Sequence, residues 1–164
     1  MVKKIFIKQF IKANQSKDNT KSYPKSISKA GIFCKESQLP LNSFIESLKY
    51  TFGNKCVFFI FLLSNKNATD DVIILNNKAF NYLGKLKDFT VSQKLGELDL
   101  IIDLSFKSSM IKKYALSLSG SSFKIAMGKY LNEGFHLCIN VDRNQQDLFA
   151  EELLKYHKIL SHVE

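Results

Sequence analysis

The 164-residue sequence holds no hydrocarbon run longer than the seven residues Val57 to Leu63, far short of the roughly 20 that cross a bilayer as a helix. A membrane-spanning helix is therefore not expected. Cysteine is scarce and odd in number, at Cys34, Cys56 and Cys138, and each falls in or beside an apolar run. That fits buried small hydrophobes in a reducing compartment better than a disulfide framework. The histidines, His136, His157 and His162, show no ligand-type spacing. His136 lies two residues from Cys138, but two ligands do not close a metal site, so neither metal nor cofactor is expected. Phosphate-binding glycine patterns are missing as well. Gly31 stands alone where a dinucleotide fold would carry Gly-x-Gly-x-x-Gly, and no Gly-Lys-Ser/Thr loop occurs. A secretory signal is also missing, because Lys8 and Gln9 break the apolar residues Ile5, Phe6, Ile7, Phe10 and Ile11. A cytoplasmic location is expected, and the glycosylation pattern Asn67-Ala68-Thr69 is read as chance.

Acid is what the first 29 residues lack most. They hold one acidic residue, Asp18, against eight lysines, Lys3, Lys4, Lys8, Lys12, Lys17, Lys21, Lys25 and Lys29. The remaining 135 residues are nearly neutral, with sixteen basic and fourteen acidic side chains, so most of the net charge of +9 sits at the front. Clustered lysines release condensed counterions when they neutralise phosphates. These eight lysines are the expected RNA-binding residues of a polyanion-binding arm; the bland alternative is a solubilising terminus. Phe6 or Ile7, Phe10 and Ile11 fall on one helical face while Lys4, Lys8 and Lys12 recur every four residues. Such a helix can lie on RNA, on an anionic membrane surface or on the body itself. Residues 13–28 are polar and read as a linker with almost no apolar contacts. The expected division is a basic helix and linker over 1–29 and a folded domain over 30–164.

The body alternates between strand and helix periods. Ala30 to Cys34 reads as a strand, and Leu41, Phe44, Ile45, Leu48 and Phe52 follow at helical spacing up to Gly53. Cys56 to Leu63 has no polar alternation, which predicts a central strand buried on both faces. Further strands are expected at Val72 to Leu75, Leu98 to Leu104, Phe123 to Met127 and Phe135 to Val141. Helices are expected over about 109–119 and from about Asp142 to the end, and residues 78–96 are ambiguous. The pattern predicts a single α/β domain of Rossmann-like type: a mostly parallel sheet flanked by helices, preceded by the basic helical arm.

Residues 98–128, LDLIIDLSFKSSMIKKYALSLSGSSFKIAMG, resemble the strand, helix, strand step of heptosyltransferase-type N-terminal domains. Ala30 to Glu164 resembles more closely a family of short uncharacterised bacterial proteins that share a basic N-terminal helix and the runs DLIIDLS, KIAMG and HLCINV. The resemblance implies a Rossmann-like fold and little about activity, since this fold hosts many functions. The glycosyltransferases have a second domain that holds most of the sugar-nucleotide donor, and no counterpart of it is expected here.

Asp99 and Asp103 stand four apart on one strand, hence on one face, with Asp103 near the carboxyl end where α/β sites gather. Asp103 is a candidate catalytic carboxylate; the structural alternative is that it accepts backbone N–H groups of the next turn. Ser119 to Ser122 reads as a helix stop rather than an anion nest, because the loop follows a helix. Phenylalanines such as Phe58, Phe59 and Phe61 read as core, while Tyr82, Tyr114 and Tyr130, each near a lysine, are candidate stacking residues. With no complete catalytic motif, the expected function is non-enzymatic RNA association on the ribosome, with ribosomal RNA and ribosomal proteins as partners. The alternative is a sugar-nucleotide or small-ligand binding protein using a crevice near Asp103 and Gly128.

Overall fold

Apolar residues dominate the strands of this protein, because a parallel sheet must be covered on both faces. A computed structural model describes residues 11, 22–64, 72–81, 83–106, 108–120, 122–128 and 134–162. Lys3, Lys4, Lys8, Lys12, Lys17 and Lys21 fall outside them. Among the described residues the strands are β1 (Lys29–Cys34), β2 (Val57–Leu62), β3 (Val72–Ile74), β4 (Leu100–Asp103), β5 (Phe123–Met127) and β6 (Leu137–Ile139). The α-helices are α1 (Asn42–Phe52), α2 (Phe89–Gly96), α3 (Met110–Leu118) and α4 (Gln146–Ser161). The six strands form one sheet in the order β3-β2-β1-β4-β5-β6, and every neighbouring pair is parallel. The α/β expectation thus holds, and the order is that of doubly wound nucleotide-binding folds.

Strand alternation divides the core in two. Ala30, Ile32 and Cys34 of β1, Leu100 and Ile102 of β4, and Phe123, Ile125 and Met127 of β5 face Phe44 and Leu48 of α1 and Phe149 and Leu153 of α4. Phe33, Ile101 and Ala126 point the other way, toward Leu95 of α2 and Ala115 and Leu116 of α3. Helices α1 and α4 pack together on the first face, α2 and α3 on the second. Local chemistry sets their ends. The Asp88 carboxylate accepts the Thr90 N–H at 2.8 Å to start α2, and Ser109 Oγ accepts the Lys112 N–H at 3.1 Å to start α3. Gly53 at φ +93° stops α1. Gly31 has a packing role: a Cβ there would lie 2.6 Å from Leu98 Cδ1 and 3.1 Å from the Phe61 ring.

Two expectations need correction, and one open stretch is settled. The run Cys56 to Leu63 is not at the centre of the sheet; β1 and β4 are, and β2 is second from the edge with Phe58, Phe59 and Ile60 only half-buried. Its cover is thin: Phe52 stacks on Phe58 at 6.5 Å on one face, and Lys94 lies 5.4 Å from the Phe59 ring on the other. The ambiguous stretch 78–96 contains the short helix α2. The supposed linker is not free of apolar contacts, since Tyr23 and Ile27 are buried in the first core. Tyr23 meets Phe123 edge-on at 5.1 Å, and its hydroxyl shares a hydrogen bond with His157 Nδ1 at 2.8 Å. Asp99 Oδ2 accepts the N–H groups of Ser28 and Lys29 at 2.8 and 3.0 Å. Ile11 too is buried, among Phe80 and Tyr114.

Two outcomes follow for stability. Ile101→Asp, wholly buried in the central strand, should abolish cooperative urea unfolding, because an unpaired buried carboxylate costs several kcal/mol against a total of about 5–15. Ile60→Asp in half-buried β2 should leave a folded, weakened protein. A cooperative Ile101→Asp variant would refute the central placement.

Burial, and then the charge of His162, hold the His157 pKa below its usual value, while burial pushes the Tyr23 phenol up and keeps it a proton donor. The unfolded chain therefore takes up a proton at His157 at higher pH than the folded one. Stability from this contact is complete above an unfolded pKa of about 6.5 and falls as the pH drops below it. Urea midpoints between pH 8 and 5 should show that loss, and His157→Phe should reduce it.

Candidate functional site

Two β–α units bring polar groups to the carboxyl end of the sheet. The first is β4 and the turn into α3. Asp103, the last residue of β4, is 1% exposed, and Lys112 of α3 is fully buried beside it. Lys112 Nζ lies 2.6 Å from Asp103 Oδ2, while Asp103 Oδ1 accepts the Ser105 N–H at 2.9 Å and the Ser105 hydroxyl at 2.6 Å. Lys112 Nζ also donates to Ser105 Oγ at 3.3 Å and lies 5.8 Å from the centre of the Phe135 ring. Both carboxylate oxygens are engaged and sealed from solvent. Asp103 accordingly meets the structural alternative, accepting a backbone N–H of the next turn, with a lysine added. Asp99 is no partner to it. The two lie at opposite ends of β4, about 13 Å apart at strand spacing.

Lys112 escaped the sequence reading, although a signal existed. Residues 112, 115, 116 and 119 fall at i, i+3, i+4 and i+7, and all four are buried. A lysine on the inward stripe of a helix demands an acid, and Asp103 ends the strand that leads into that helix.

The second element is a cleft of about 500 Å³ where β1 and β4 end. It is lined by Lys35, Ser37 and Gln38 after β1, Ser105 and Phe106 after β4, Ser43 in the first turn of α1, and Arg143, Asn144, Gln146 and Asp147 at the start of α4. This is the point where the strand order reverses, the position at which open α/β sheets bind ligands. Gln38 shapes the wall, accepting the Lys35 N–H at 2.9 Å and donating to the Leu104 carbonyl. Phe106 adopts the left-handed conformation at φ +49°, unusual for a bulky residue, and the Arg143 guanidinium lies 5.4 Å from its ring centre.

The remaining candidates are placed plainly. Burial, aided at Cys34 by the charge of Asp103, pushes the Cys34 and Cys56 thiols up to about 12 and 11, so neither forms a thiolate nucleophile near neutral pH. His136 Nδ1 accepts the Lys124 N–H at 2.9 Å and its ring stacks on Phe123 at 4.8 Å. Among the described residues no cluster of three His, Cys, Asp or Glu side chains stands ready for a metal, and no helix is long and apolar enough to cross a membrane. Ser119 and Ser122 turn inward, their hydroxyls donating to the Leu116 and Leu98 carbonyls at 2.9 and 2.7 Å. Tyr114 is buried edge-on to Phe80 at 5.1 Å, which removes it as a stacking platform; Tyr82 and Tyr130 lie outside the described residues. Of the basic residues, Lys25 is exposed, and Lys29 opens β1 and pairs with Glu97 at 2.5 Å. Gly128 ends β5 at φ +100°, its N–H donating to the Ile139 carbonyl at 2.8 Å.

Fold and cleft together define a Rossmann-like α/β domain with a polar opening at its strand switch. Over residues 3–160 the chain matches the Family of unknown function (DUF6913), and it belongs to that family. No curated protein and no solved structure matches it.

Removing one partner of the buried pair should be costly. Lys112→Ala or Asp103→Ala is expected to lose about 3–5 kcal/mol, whereas removing a surface pair such as Lys155 and Glu152 should lose far less. Replacing Asp103 by Leu and Lys112 by Met together should cost less than the sum of the single losses. Urea unfolding measures all three, and single losses at the level of the surface pair would show that the buried pair holds nothing in place.

Proposed function

We propose that the protein binds RNA without catalysing a reaction, as a cytoplasmic, ribosome-associated protein whose partners are ribosomal RNA and ribosomal proteins. The observation that carries this is the charge asymmetry, with eight of the basic residues and one acid in the first 29 positions. A stretch of that density neutralises several phosphates at once and draws its affinity from counterion release. The body supports the same assignment where the stretch joins it. Lys25 and Lys55 line a cavity of about 320 Å³ at the amino end of β1 and β2, together with Ser28, Thr51 and His157. Tyr50, in the last turn of α1, is 92% exposed and offers a ring on which a base can stack. Against catalysis stand the engaged carboxylate of Asp103 and the raised pKa values of the two thiols.

Binding to ribosomal RNA, titrated against salt, tests the proposal. If about five lysines meet phosphates, log K should fall against log salt with a slope near −3.5 to −4.5, at roughly 0.7 to 0.9 per contact. Changing Lys3, Lys4, Lys8 and Lys12 to Gln should flatten the slope by roughly 3, and should release the protein from sedimenting ribosomes at lower salt. Tyr50→Ala should weaken binding without changing the slope. An unchanged slope in the Gln variant, or binding to vesicles of anionic lipid but not to RNA, would overturn it.

A further inference from the structure

We propose that the cleft between the ends of β1 and β4 binds a phosphomonoester that carries hydroxyl groups, of mononucleotide or sugar-phosphate size. This site is separate from the basic segment and lies at the opposite end of the sheet from Lys25 and Lys55. At about 500 Å³ it falls within the range of small-ligand sites, and it occupies the strand switch, where the backbone diverges and leaves a gap between β1 and β4.

Its lining states the ligand class. Two cations, Lys35 and Arg143, face one acid, Asp147. Arg143 forms no ion pair among the described residues; its guanidinium rests near the Phe106 ring, which orients it and leaves its N–H edges for an anion. Ser37, Ser43, Gln38 and Gln146 add neutral polar groups. Helices α1 and α4 begin beside these residues, so their positive ends reinforce rather than create the preference for an anion.

The absence of glycine narrows it further. Where a dinucleotide fold has a glycine loop cradling a pyrophosphate, this chain has one 3-10 turn, Glu36–Gln38, closed on its own Gln38 side chain. The N–H groups of Lys35, Gln38 and Leu39 are already bonded within that turn, so recognition falls to side chains and suits a single phosphate. Asp147, an acceptor at the rim, is placed to take a ligand hydroxyl. Asp103 is sealed behind Ser105 and holds Lys112, so no carboxylate of β4 reaches the ligand as a base.

Calorimetric titration of the full chain with inorganic phosphate, ribose 5-phosphate, adenosine monophosphate and a nicotinamide dinucleotide tests this. Saturable binding is expected for at least one of the two organic phosphomonoesters, tighter than for inorganic phosphate, with the dinucleotide no tighter than the best of them. Preference between the two organic phosphates tells whether a base or only a sugar is read. Arg143→Gln or Lys35→Gln should weaken it about tenfold or more, the usual effect of losing a charge-assisted hydrogen bond. Asp147→Asn should weaken the organic ligands and not inorganic phosphate. Lys55→Gln and the four-lysine Gln variant should bind as wild type, which separates this site from the RNA proposal. No saturable binding up to about 10 mM, the level of a very weak complex, or loss in Lys55→Gln equal to that in Arg143→Gln, would overturn it.

Discussion

Strand β1 hydrogen-bonds to β2 along one side and to β4 along the other, from Lys29 opposite Val57 to Phe33 opposite Asp103. With both edges occupied and Ala30 to Cys34 buried, β1 takes a partner on each side, and its neighbours must lead away from it in opposite directions. The chain goes outward through β2 and β3, crosses back through α2, and goes outward again through β4, β5 and β6. Two cores, two helix pairs and the opening between β1 and β4 are all consequences of that one crossing. Gly31 shows how tight the centre is, with Leu98 and Phe61 filling the space that a side chain would occupy.

The ion pair between Asp103 and Lys112 works at the same junction. Desolvating two charges is expensive, and their attraction offsets it only where geometry is good and the remaining lone pairs are satisfied. Here Ser105 supplies that satisfaction through both its N–H and its hydroxyl. The pair ties the first turn of α3 to the end of β4 and fixes where the chain turns away. What resembles a catalytic carboxylate by its place in the fold therefore acts as a fastener. The polar groups left open to solvent are a few residues further on, at Phe106 and across to the start of α4.

The molecule is thus polar in two different ways. At the amino end of the sheet, Lys25 and Lys55 line a cavity where residues 22–28 join the body. At the carboxyl end, two cations and several neutral donors line a concave space sized for a small anion. Tyr23, Ile27 and Asp99 tie the basic segment to the domain, so the two ends belong to one folded unit even though their chemistry differs.

Strand and helix positions could be read from the sequence, because periodicity is local: β1, β5, α1 and α3 begin and end within a residue or two of where apolar spacing, Ser109 and Gly53 place them. The α/β class and the uneven charge were legible for the same reason. Order within the sheet was not. The run at Cys56 to Leu63 is the most apolar of the chain, yet it sits off-centre, since hydropathy reports how apolar a strand is and not which strand lies beside it. Tyr23 looked like part of a polar linker because its partners, Phe123 and His157, lie 100 and 134 residues away. The candidate site divided in the same manner. Asp103 was visible at a strand end, but whether it was free or engaged depended on where α3 carried Lys112, and the cleft exists only because β1, β4, α1 and α4 converge there. Composition and spacing settle what each segment can be; only long-range packing decides which polar groups are consumed inside the fold and which remain for a ligand.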